Sequence, residues 1–201
     1  MLELRSISHA FGDVEAVHNL DLVEETGQVL CLLGPSGCGK TTALRIAAGL
    51  EPVQTGEVLI NDKTVAGNGA QLPPESRSVG LVFQDFALFP HMTIADNVAF
   101  GLGHLSGGQQ QRIALARAIA PNHSVLLLDE PFSGLDARLR TQVRDDTLHI
   151  LKASGTTSLV VTHDPEEAMF MGDQVAVMNA GSLEQIGPPD EIYFSPRSAF
   201  V

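Results

Sequence analysis

Apolar residues in the first 60 positions fall in short runs at 2–8, 16–23, 29–33 and 57–60, separated by Gly12, Gly27 and Gly56. Runs of that length with glycine breaks predict strands, so the opening of the chain reads as mostly β. After an apolar run at 79–83 the pattern changes. Helix-forming stretches at 106–120, 137–153 and 165–171 alternate with buried runs at 125–128, 157–161 and 175–178. This alternation predicts a parallel sheet flanked by helices. Positions 181–187 read as a turn and short strand, and 188–193 open a last helix. No internal repeat or low-complexity tract interrupts the pattern.

Between the run 29–33 and the helix-forming run 43–48 stand Gly34, Pro35, Ser36, Gly37, Cys38, Gly39, Lys40, Thr41 and Thr42. The first eight fit G-x-x-x-x-G-K-[ST] in a strand, loop, helix context. Glycines let successive backbone N–H groups converge on phosphate oxygens, and the helix N-terminus adds positive potential. Lys40 then reaches the β- and γ-phosphates and the Thr41 hydroxyl ligates Mg²⁺. Further on, Leu105, Ser106, Gly107, Gly108 and Gln109 precede the helical run 110–120, and Asp129 and Glu130 close the run 125–128. Three nucleotide-handling elements in this order point to ATP hydrolysis.

Composition narrows the partners. The 201 residues are 44% apolar with a formal net charge of −12, which suits one globular unit over 1–201 and argues against nucleic acid as a partner. No stretch supplies about 18 uninterrupted apolar residues, so neither a membrane span nor a secretion signal is expected, and the chain is expected in the cytosol. Cys31 and Cys38 are too few for a disulfide scaffold and not spaced for zinc. Both are read as reduced thiols, Cys38 as a filler.

With these motifs in hand, the chain resembles the ATP-binding subunits of ABC transporters over nearly its whole length. That resemblance implies a P-loop NTPase of α/β class: a mixed sheet, an N-terminal antiparallel β subdomain and a helical subdomain. It implies ATP and Mg²⁺ as cofactors, and two copies paired head to tail. Ser106, Gly107, Gly108 and Gln109 would then cap the γ-phosphate held by the other copy, with Asp136 in the inter-subunit loop. Asp136 is also a sound N-cap for the helix from Ala137. Asp129 would hold Mg²⁺ through water, and Glu130 would orient or deprotonate the attacking water. Gln84 would reach Mg²⁺ and that water, His163 would contact the γ-phosphate, and Phe11 would stack on adenine or, alternatively, fill the core.

Within the family, 83–91, 97–101, 136–140 and 162–169 are similar to bacterial importers, and 144–149 and 166–171 to ferric-iron import subunits. This implies permease subunits as partners, a solute-binding protein acting indirectly, and a peripheral place on the cytoplasmic face of the bacterial inner membrane. A soluble ABC ATPase working on DNA or ribosomes is disfavoured by the acidic charge. The chain departs from the pattern between Gly101 and Leu105, where only Leu102, Gly103 and His104 stand. On the order of thirty residues of helical subdomain are expected there. A remnant that binds nucleotide without forming a closed dimer is therefore a third reading. The β-rich regulatory domain of related importers is not in these 201 residues either.

Overall fold

The computed structural model describes residues 1–83, 114, 116, 118 and 123–201. In β3 (Val29–Leu33) all five residues are buried. Leu30 and Leu32 enter one core while Val29, Cys31 and Leu33 enter another. A strand covered on both faces needs no polar side, which is why its sequence reads as one continuous apolar run. The same holds for β8 (Val125–Asp129) and β9 (Thr157–Thr162), fully buried, and for the central residues of β10 (Gln174–Asn179). With β7 (Val79–Val82) and β11 (Ser182–Gly187) they form a six-stranded sheet in the order β11-β10-β3-β9-β8-β7. Only the β10–β11 pair is antiparallel.

A second, wholly antiparallel sheet contains β1 (Leu2–Phe11), β2 (Val14–Glu24), β4 (Thr55–Ile60), β5 (Lys63–Gly67) and β6 (Ala70–Gln71), in the order β2-β1-β4-β5-β6. It packs with α1 (Lys40–Ala48) on one face of the six-stranded sheet. On the other face lie α2 (Ala137–Ser154), α3 (Pro165–Met171) and α4 (Pro189–Phe194). The fold is the α/β P-loop arrangement with an antiparallel β subdomain. The expected helix at 106–120 and the short join at 102–104 lie outside the described residues, apart from isolated positions. Because β3, β9 and β8 are parallel neighbours, their carboxyl ends share one edge, the place where open α/β sheets bind ligands.

Arg77 fastens the far end of α1. Its guanidinium is 2% exposed and donates to the carbonyls of Leu72, Ile46 and Ala47 at 2.8, 2.8 and 3.1 Å. A cation suits the carbonyl end of a helix, and here it supplements the Gly49 cap amide, which the Ile46 carbonyl accepts at 3.1 Å. Burial lowers the pKa of this group. No sequence signal marks the role, since a charged residue between two turns reads as surface.

Glu24, the last residue of β2, is a different case. It is buried, and neither carboxylate oxygen has a hydrogen-bond partner among the described residues. Desolvation raises its pKa well above the ordinary 4.5, while the nearby Ser158 and Leu30 amides pull the other way without bonds of good geometry. A carboxyl whose folded pKa is raised favours the folded state fully below the unfolded pKa, and that contribution is lost as pH rises through the folded value. Glu24→Gln is therefore expected to melt about 2–4 °C higher than the parent near pH 7, the shift that ~1 kcal/mol makes in a chain of this size. The difference should shrink as pH falls toward the ordinary carboxyl range. Melting curves across pH check this; a Gln variant that is less stable at every pH contradicts it.

Candidate functional site

The loop between β3 and α1 is shaped by its neighbours. Gly39 precedes α1 at φ 100°, and a Cβ there would lie 2.2 Å from the Ala16 carbonyl oxygen. A Cβ on Gly34 would meet the Met178 carbonyl oxygen at 2.2 Å. Only glycine fits either position. Lys40 is 4% exposed and turns back into the loop, its Nζ donating to the Gly34 and Pro35 carbonyls at 2.7 and 2.8 Å. The Cys38 thiol lies 3.7 Å from that ammonium and is buried, so the position expected to be a filler is a packed one that wants a small side chain. Both cysteines are free, as their number suggested.

At the ends of β8 and β9 the polar groups converge on this loop. The Thr41 hydroxyl donates to Asp129 Oδ1 at 3.1 Å. Burial raises the Asp129 pKa and the charge of Glu130 adds to the rise, while the Thr41 hydrogen bond opposes it. Glu130 adopts φ 44°, a conformation rare for a side-chain-bearing residue, and its amide donates to the Val161 carbonyl at 2.9 Å. This turn carries the carboxylate out of the strand, where Oε2 lies 3.1 Å from His163 Nδ1. Ser133 Oγ donates to the Glu130 carbonyl at 2.9 Å, fixing the loop that follows. Asp136 caps α2, accepting from the Leu139 amide at 3.0 Å. The next residue, Asp164, caps α3, and its Oδ2 lies 3.6 Å from Arg140 Nη1.

A cleft of about 240 Å³ is lined by Phe11, Ala16, Ser36, Gly37, Gly39, Lys40, Thr41, Thr42 and Glu130. Phe11 is 50% exposed at its rim and packs edge-on against His9, so it is no core phenylalanine. A larger apolar groove of about 750 Å³ touches Gly34, Pro35 and His163 but otherwise runs between α3 and α4. The smaller cleft holds the cation and the helix N-terminus that an anion needs. Thr41 Oγ1 and Asp129 Oδ1 are hard oxygen donors set side by side, which fits Mg²⁺, a cation that keeps waters and substrate phosphate oxygens as its remaining ligands. Among the described residues no three His, Cys, Asp or Glu side chains group to hold a metal by themselves.

The structure thus brings Phe11, residues 34–42, Asp129, Glu130 and His163 to one edge and leaves Asp136 at a helix cap beside it. Gln84, Ser106, Gly107, Gly108 and Gln109 lie outside the described residues. The sequence reading missed the support under the loop, Ala16 and Met178, whose nearest atoms are main-chain oxygens, joined by the Met178 methyl against Gly39, and which sit far from the motif in sequence.

The ABC transporter family profile matches residues 17–102 and 97–133. A spermidine/putrescine import ATP-binding protein of Oleidesulfovibrio alaskensis is 45% identical over all of this chain and 61% of its own length. A trehalose/maltose import ATP-binding protein of Thermococcus litoralis is 43% identical over all of this chain and 63% of its own. A sulfate/thiosulfate import ATP-binding protein of Chromobacterium violaceum is 43% identical over all of it and 62% of its own. The chain therefore spans about three-fifths of the length of these curated relatives. Among solved structures, a dimeric ATP-binding cassette in a post-hydrolysis state with ADP and Pi superposes with a TM-score of 0.80 at 28% identity, covering 94% of this chain and 99% of the other. A Clostridium perfringens protein that is part of an ABC transporter complex gives 0.81 at 26% identity, covering 96% and 90%. No helix among the described residues is long and apolar enough to cross a membrane.

Proposed function

Because the chain belongs to the ABC transporter family, we propose that it is the ATP-binding and ATP-hydrolysing subunit of an importer for ions or small solutes. The observation that carries this reading is the convergence of Lys40, the Thr41–Asp129 pair and the Glu130–His163 pair on one sheet edge. Lys40 and the loop amides bind the phosphates, and Phe11 lies against the base. Thr41 and Asp129 hold Mg²⁺, which neutralises charge on the phosphate oxygens when bound. Glu130 accepts the proton of the attacking water at its carboxylate, and His163, 3.1 Å away, keeps that carboxylate oriented. In this reading two copies pair head to tail, Ser106, Gly107, Gly108, Gln109 and Asp136 of one completing the site of the other, Gln84 links the site to the helical subdomain, and permease subunits are the membrane partners. The complex sits on the cytoplasmic face of the cell membrane and serves a solute-binding protein indirectly. Residues 144–149 and 166–171 favour ferric iron as solute, whereas the relatives are named for polyamine, sugar and sulfate import.

A second reading has support of its own. The alignment to the polyamine relative runs over 232 positions against a chain of 201, a difference of 31, and the family profile matches in two pieces that meet near Gly101. Both agree with a helical subdomain shortened between 101 and 105. The phosphate loop, Lys40, Thr41 and Asp129 belong to the sheet and survive such a loss, whereas a permease docking surface does not. In this reading the chain binds Mg-ATP without coupling to transport. ATPase activity in lipid, with and without the neighbouring permease subunits and solute-binding protein, separates the two. Stimulation supports the importer subunit, ATP binding without stimulation supports the uncoupled form, and absence of ATP binding contradicts both.

A further inference from the structure

The turn between β10 and β11 touches the phosphate loop and the β subdomain at once. Asn179 pairs with Ser182, leaving Ala180 and Gly181 as a two-residue turn at φ 43° and 84°. Positive φ at both positions makes this a type I′ turn, and alanine is disfavoured in its first position. A strained residue of this kind persists where its surroundings hold it. The Gly181 amide donates to the Cys38 carbonyl inside the phosphate loop at 3.0 Å, and the Gly181 carbonyl accepts from the His18 amide of β2 at 2.8 Å. A Cβ on Gly181 would lie 2.2 Å from His18 Cδ2 and 3.2 Å from the Ala16 carbonyl oxygen. One residue thus bridges the phosphate loop and the strand pair that carries Ala16 and Phe11.

We infer that Gly181 is a positioning residue that sets the spacing between the phosphate loop and the Phe11 wall, so that triphosphate and base are gripped together. The inference rests on the nucleotide-binding reading above. It makes a distinction that simple support of the loop does not: widening the spacing harms a ligand that spans both walls and spares one that touches only the loop. ATP is the first kind and inorganic tripolyphosphate the second.

The test is calorimetric binding of Mg-ATP and of Mg-tripolyphosphate to the purified chain and its variants. Gly181→Asn keeps a residue that tolerates positive φ but pushes its Cβ into His18. It is expected to weaken ATP about tenfold, the order of one overpacked contact, and tripolyphosphate less than about threefold. Adding His18→Ala removes the collision and should return ATP affinity to within about threefold of the parent. If Gly181→Asn does not yield folded protein, His18→Phe presses on the same turn while residue 181 stays glycine, with the same split expected. Equal losses for both ligands, or an unchanged ATP affinity, overturn the inference while leaving the nucleotide site in place. A parent chain that binds neither ligand overturns the functional reading itself, and this inference with it.

Discussion

Glu130→Gln lowers ATP turnover by roughly 10²–10⁴ while leaving nucleotide affinity within a few-fold of the parent, the range for loss of a general base. The amide has the shape of the carboxylate and can keep the contact with His163, now 3.1 Å from Oε2, but it accepts no proton from water. The backbone at φ 44° is fixed by the bond to Val161 and by Ser133, so the side chain's aim should not change. Affinity is expected to survive because the proposed phosphate contacts come from Lys40, the loop amides and the α1 N-terminus, none of which Glu130 supplies. Phosphate release and nucleotide titration on the same preparation check both halves. A trapped ATP-bound dimer, seen by light scattering, is the accompanying expectation. Turnover within twofold of the parent would remove Glu130 from the proton step.

Lys40→Ala acts earlier, on binding. Its ammonium is buried and makes two short bonds to the Gly34 and Pro35 carbonyls, so the truncation removes the loop's only side-chain cation and both of those bonds, the Pro35 carbonyl keeping only the Cys38 amide at 3.3 Å. Losing one partner of a buried, charge-assisted contact costs several kcal/mol, which corresponds to a fall in ATP affinity of about 10²-fold or more. Melting curves recorded alongside distinguish a lost site from a lost fold. Unchanged affinity and rate in Lys40→Ala would contradict the assignment of the loop.

The central strands were legible because both their faces are buried: positions 29–33, 125–128 and 157–161 carry no polar alternation to confuse them. β5 and β6 escaped the reading, since Lys63–Gly67 and Ala70–Gln71 bury little beyond Val65 and Ala66 and carry small and polar residues that read as loop. At the site, the motif located Lys40, Thr41 and Asp129 because strand ends and a helix start fix their place. The inward turn of Lys40, the approach of His163 to Glu130 and the grip of Arg77 on α1 arise from three-dimensional packing between distant segments. No local period or composition encodes them. The motif residues Gln84 and Ser106 to Gln109 were read from sequence alone and lie outside the described residues.

The central claim is that the cleft between Phe11 and the phosphate loop binds Mg-ATP. Isothermal titration of ATP into the purified parent chain, with Mg²⁺ and then with chelator, tests it most directly. The account predicts saturable binding at one site per chain, in the micromolar range usual for enzyme substrates, weakened when Mg²⁺ is removed and weakened about 10²-fold or more in Lys40→Ala. Absence of saturable binding in folded parent protein, or binding that Lys40→Ala leaves intact, would contradict it.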